Sequence, residues 1–123
     1  MTKMRLSVTV VSLERLKDAD STGNGDVYVR LSTDKTTWQA TTVKLGADHQ
    51  ALVEFDEKFQ FEVDPDPQLY IEVYDKDPAN DSLLGSNHVD LAPIGESQEV
   101  NVTLKKHVVH RHAGIVKMRV GFE

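Results

Sequence analysis

Residues 69–77 read Leu69-Tyr70-Ile71-Glu72-Val73-Tyr74-Asp75-Lys76-Asp77. Leu69, Ile71 and Val73 alternate with Tyr70, Glu72 and Tyr74, so an extended backbone gives one aliphatic face and one polar, aromatic face. The segment is a half-buried strand, and it runs without a break into two aspartates. The Pro65-Asp66-Pro67 turn precedes it.

The same period of two recurs along most of the chain. Met4, Leu6, Val8 and Val10 mark a first strand, and Val27, Val29 and Leu31 a second. Trp38 to Leu45, rich in Thr and Val, reads as a third. Val53, Phe55, Phe59, Phe61 and Val63 form a longer fourth, bent where Asp56-Glu57-Lys58 interrupts the apolar positions. Residues 69–73 are the fifth. Val89 and Leu91 mark a sixth, Val100, Val102 and Leu104 a seventh, and Ile115, Met118, Val120 and Phe122 an eighth. Leu13 to Lys17 is the one stretch with the look of a helical turn. Eight strands, polar connections and no sustained helical period predict an all-β fold, an eight-stranded antiparallel β-sandwich. No repeat or linker divides residues 1–123, which read as one domain.

Composition narrows the functions. The 123 residues carry 20 acids against 14 bases, a net charge of −6, and no cysteine. Disulfides and thiolate metal sites are thereby excluded. The acidic balance argues against sequence-blind nucleic-acid binding, which needs a basic face. The N-terminal residues lack the apolar stretch of a secretory signal, and no apolar run nears the ~20 residues of a spanning helix. A cytoplasmic location is the expectation. No Gly-x-Ser-x-Gly elbow, phosphate loop or His-Glu-x-x-His occurs, so catalysis is not expected.

The acids are concentrated in Asp18-Ala-Asp20-Ser-Thr-Gly-Asn-Gly-Asp26 and in Asp75-Lys-Asp77-Pro-Ala-Asn-Asp81. The first lies between strands one and two, the second between five and six. In an up-and-down sandwich all odd-to-even connections leave at one end, which brings the two clusters together. Carboxylates gathered this way suit Ca²⁺, a hard cation that takes six to eight oxygens. Empty, they repel: two charges 4 Å apart interact by roughly 4 kcal/mol at an effective dielectric near 20. Asp, Asn and Gly are also ordinary turn residues, and acidic loops are commonly just solvated. An EF-hand loop is excluded, because Gly25 and Val29 stand where an aliphatic residue and a bidentate Glu belong.

Four segments resemble the C2 domain family in order and spacing. Leu16 to Val29 is similar to its first calcium loop and following strand. Phe55-Asp-Glu57-Lys-Phe59-Gln-Phe61 is similar to its aromatic-x-Glu-x-Phe-x-Phe strand. Leu69 to Asp77 with Leu84-Gly85 resembles the third loop and its exit, and Gly114 to Phe122 a terminal strand. The resemblance implies Asp20 and Asp26 as first-loop Ca²⁺ ligands, Asp75 and Asp77 as third-loop ligands, and Asp81 as the last. Asp81 falls one place early relative to Leu84-Gly85, and Asp18 is peripheral. With the first strand leading straight into the calcium loop, the circularly permuted type II topology is implied.

The implied partner is an anionic phospholipid membrane surface. The first loop tip, Ser21-Thr22-Gly23-Asn24, is polar, which favours headgroup contact bridged by ions over deep insertion. Lys105-Lys106-His107-Val-Val-His110-Arg111-His112 lies by strand parity at the same end; Lys105, Lys106 and Arg111 can meet lipid phosphate at about 1 kcal/mol each. Its three histidines also admit a Zn²⁺ site, and an exposed basic turn is the plain alternative. Arg30, Lys35 and Lys44 outline a small basic sheet face, while Trp38 and Tyr28 are expected to pack against the sandwich. The competing function is a Ca²⁺-independent protein-interaction module on the same fold.

Overall fold

The alternation read along residues 69–73 reappears in the computed structural model as burial: Leu69, Ile71 and Val73 are closed off from solvent, while the residues between them are half-exposed. The structure describes residues 4–14, 26–44, 52–64, 67–76, 79–105 and 112–123. Among these, eight strands form: β1 (Met4–Glu14), β2 (Asp26–Ser32), β3 (Gln39–Ala40), β4 (Leu52–Val63), β5 (Gln68–Lys76), β6 (Ser82–Asp90), β7 (Gln98–Lys105) and β8 (His112–Phe122). No helix occurs among the described residues.

Neighbouring strands run in the order β3-β2-β5-β6-β7-β8-β1-β4, antiparallel throughout. Among the described residues β6 and β7 share one register pair, Ser86 with Lys105, so the order folds there into two four-stranded layers. Leu6, Val8 and Val10 of β1 and Val116, Met118 and Val120 of β8 face Val27, Val29 and Leu31 of β2 and the aliphatics of β5 across the interior. Each such side chain, wholly buried, contributes roughly 1.5–3 kcal/mol of transfer free energy.

The remaining margin is closed by side chains. Gln39 Nε2 donates to the Gln60 carbonyl at 2.8 Å, and the Thr42 hydroxyl donates to Glu57 Oε2 at 2.7 Å. These bonds join the edge beside β3 to β4, the two ends of the strand order, so neither edge lies fully open.

This topology is not up-and-down. β1 pairs with β4 and β8, and the β1–β2, β3–β4 and β4–β5 connections cross between layers. Strand direction nevertheless alternates along the order, so odd-to-even connections do share one end. The eight expected strands are present, with three local corrections. β6 ends at Asp90, so Leu91, expected in the sixth strand, lies just beyond it. β1 continues through Leu13 and Glu14, where a helical turn is expected from sequence; residues 15–17 lie outside the described residues. The third strand shrinks to Gln39–Ala40, because Thr41 turns its hydroxyl to accept the Val29 N–H at 3.0 Å in place of a backbone carbonyl. The Thr41 N–H still donates to the Val29 carbonyl at 2.8 Å, and the next bridge is Val27–Lys44. The bend in β4 is a positive φ of 52° at Asp56, where the register against β1 shifts.

Candidate ion-binding rim

Val27 and Val29 point inward, which puts Asp26, Tyr28 and Arg30 on the opposite side of β2. Register then places Asp26 beside Lys76, Val27 beside Asp75 and Tyr28 beside Tyr74. On the other flank of β5, Asp75 lies beside Ser82, the residue after Asp81. Three of the five expected ligands, Asp26, Asp75 and Asp81, therefore collect where β2, β5 and β6 meet the same end of the layer. Asp20 and Asp77 lie outside the described residues. Among the described residues, no group of three His, Cys, Asp or Glu forms a ready metal-holding cluster.

The carboxylates are held from behind. The Asp26 backbone N–H donates to Asp75 Oδ1 at 3.1 Å, and the Tyr28 hydroxyl donates to Asp81 Oδ2 at 2.6 Å. Asp26 and Asp75 are half-buried and Asp81 is exposed. A neutral donor on one oxygen orients a carboxylate without cancelling its charge, the usual support behind a metal-ligating group. The donor set consists of hard oxygens, which fits Ca²⁺ better than a soft metal.

Tyr28 itself is fixed. Its ring stacks on Tyr74 with centroids 5.6 Å apart and planes 12° from parallel. Burial, then the hydrogen bond to Asp81 and the charge of that carboxylate, push the Tyr28 phenol up to about 12. It therefore remains a donor at neutral pH. The Tyr74 hydroxyl accepts from Arg30 Nη2 at 3.0 Å and donates to Glu72 Oε1 at 3.2 Å. Burial first and the Glu72 charge second raise the Tyr74 phenol as well. Sequence reasoning missed Tyr28 as part of this rim. Alternation puts it on the outer face, but only the β2–β5 register shows what it meets.

The basic face foreseen around Arg30, Lys35 and Lys44 is largely occupied by the chain's own groups. Arg30 Nε and Nη2 converge on Glu72 Oε1 at 2.6 and 2.5 Å, and the guanidinium lies 4.1 Å above the Trp38 ring. Lys35 sits 4.7 Å over Tyr70, beside a groove of about 310 Å³ that reaches His88. Trp38, half-buried, thus lies against the outer face of β2 with the Arg30 cation on its ring. Lys44 approaches Phe55 at 5.9 Å.

Lys105 is exposed and set back from the rim. It pairs with Ser86, which pairs with Glu72, three residues short of Asp75 and about 10 Å away along β5. Lys106, His107, His110 and Arg111 lie outside the described residues, as do Asp18 and the loop tip at 21–24. The side chain of His112 is likewise not described.

The family model for the C2 domain matches residues 4–106. The chain belongs to the C2 domain family. Two solved C2 structures have this fold at 26% identity. The first C2 domain (domain A) of plant Extended Synaptotagmin 1 superposes with a TM-score of 0.82 over 98% of this chain and 94% of that one. A C2 domain-containing protein from a putative elicitor-responsive gene superposes with a TM-score of 0.81 over 99% and 90%. The calcium-bound pair of C2 domains, A and B, of Extended-Synaptotagmin 2 is 20% identical and superposes with a TM-score of 0.79. It covers 99% of this C2 domain with 46% of its own length and shares its fold. No curated protein sequence matches the chain. Membership of this family supports, in general terms, a module for membrane, lipid or Ca²⁺ binding. Among the described residues of this C2 domain, no helix is long and apolar enough to cross a membrane.

Proposed function

We propose that this C2 domain binds Ca²⁺ through Asp20, Asp26, Asp75, Asp77 and Asp81 and thereby docks on anionic phospholipid. The observation that supports the reading is that register sets the backbone of Asp26 and Asp75 at one end of β2 and β5, with Asp81 just before β6 there, and that Asp75 and Asp81 each accept from a neutral donor. Bound Ca²⁺ supplies positive charge and coordination positions for lipid phosphate and carboxylate oxygens. The protein's own part is to gather the acids, hold their orientation and keep the rim negative until the ion arrives. Lys105, Lys106 and Arg111 add a weaker attraction to lipid phosphate, at about 1 kcal/mol each near an anionic leaflet. Recruitment from the cytoplasm to a membrane as Ca²⁺ rises follows from this arrangement, and a chain of residues 1–123 acting as one binding domain is part of the proposal.

Calorimetric titration with Ca²⁺, followed by sedimentation with phosphatidylserine-containing vesicles with and without chelator, tests it. Heat of binding and chelator-sensitive pelleting are expected. No heat together with no ion-dependent pelleting leaves the Ca²⁺-independent protein-interaction module as the function.

A further inference from the structure

We infer that Tyr28 is a positioning residue for the ion rim, its hydroxyl holding Asp81 where that carboxylate serves the site; the inference deepens the calcium reading and rests on it. Asp81 precedes β6 and lies outside the strand ladder, so backbone pairing alone does not set its side chain. Tyr28, 53 positions earlier in the chain, donates to it at 2.6 Å.

That reach depends on two features of β2 and β5. Strand parity sends the Tyr28 side chain out of the face opposite Val27 and Val29, two residues along β2 from Asp26. Register sets it against Tyr74, and the near-parallel stack leaves the phenol few orientations. Tyr74 is in turn held by Arg30 and Glu72. Tyr28 therefore links the strand that carries one expected ligand to the connection that carries another.

The chemistry of the donor matters. A lysine at this position would neutralise the rim and compete with a cation; a phenol orients Asp81 and leaves its charge in place. Asp81 stands one place early relative to Leu84-Gly85, and the Tyr28 bond gives its carboxylate a fixed donor there.

The test is calcium calorimetry on wild type, Tyr28→Phe, Asp81→Ala and the double variant, with thermal unfolding in chelator to check the fold. Tyr28→Phe retains the ring and its stack and removes only the hydroxyl. Its dissociation constant for Ca²⁺ should rise about tenfold or more. In the Asp81→Ala background, which leaves the hydroxyl no side-chain acceptor at 81, the same change should cost less than about twofold, because the two residues act as one unit. Equal affinity in wild type and Tyr28→Phe overturns the inference even if the melting temperature falls. So does a full additional loss in the Asp81→Ala background, which would place the effect of Tyr28 elsewhere. A wild type that takes up no calcium removes the underlying reading instead, and is told apart because no variant comparison is then needed.

Discussion

The backbone N–H of Asp26 donates to Oδ1 of Asp75, 3.1 Å away, joining two acidic clusters across 49 positions of the chain. An amide that binds a carboxylate orients it and adds no net charge of its own. The bond also ties the first residue of β2 to the end of β5, so the two clusters share one local frame.

Replacing Asp75 and Asp77 together by Asn keeps their shape and much of their hydrogen-bonding capacity while removing two charges. Ca²⁺-dependent pelleting with phosphatidylserine vesicles should be lost, with the melting temperature in chelator unchanged or raised as repulsion is relieved. Retained pelleting would count against ion bridging. In the wild type, saturating Ca²⁺ should raise the melting temperature and chelator should reverse the gain.

Arg30 is held by Glu72, Tyr74 and the Trp38 face at once. Its side chain and that of Glu72 are 31% and 22% exposed, so solvent screening reduces the value of the pair. Arg30→Ala should cost about 1–2 kcal/mol in urea unfolding. Arg30→Lys should recover only part, since an ammonium neither stacks as a plane nor donates in a fork.

Gly121 of β8 passes directly over the Glu96 carbonyl. A methyl group added there would collide with that oxygen, and both partners are backbone. The adjacent bond from Phe122 N–H to the Gly95 carbonyl, 3.0 Å, fixes the approach. Gly121→Ala should destabilise by about 1–3 kcal/mol or more. At Gly95 the same addition meets nothing within 4 Å, and Gly95→Ala should stay within about 0.5 kcal/mol.

The Asp34 carboxylate accepts from the Thr37 and Thr36 backbone N–H groups and from the Ser32 hydroxyl, and these bonds hold its carboxyl below the ordinary Asp value. Because the folded value is depressed, the contribution to stability is present above the unfolded carboxyl's pKa. It is lost as pH falls through the lower, folded one. An NMR titration should find the Asp34 midpoint below that of a model Asp. In Asp34→Asn, stability should depend less steeply on pH across that acid window.

Strand identity was legible where alternation was unbroken. Val27, Val29 and Leu31 and Leu69, Ile71 and Val73 are buried as the period requires. The end of β1 was hidden, because the register against β8 slips between Val10 and Ser12; Val11 is the extra residue, and parity changes so that Leu13 faces the core. No periodic template tolerates that insertion. The third strand was overestimated because a β-propensity for Thr cannot foresee a Thr41 hydroxyl standing in for a carbonyl.

At the rim, clustered aspartates announced themselves by residue type alone. Tyr28 did not, since its role depends on facing Tyr74 and Asp81, and long-range register leaves no local trace. Arg30 was visible as a charge. Its neutralisation by Glu72 follows from direct register pairing across β2 and β5 and was not.

Among the described residues the two layers meet through a single Ser86–Lys105 register pair, yet Asp26, Asp75 and the strand that follows Asp81 all belong to the layer built around β5. The backbone frame of Asp26 and Asp75, and of the strand entered after Asp81, is thus set inside one layer by the β2–β5 and β5–β6 ladders.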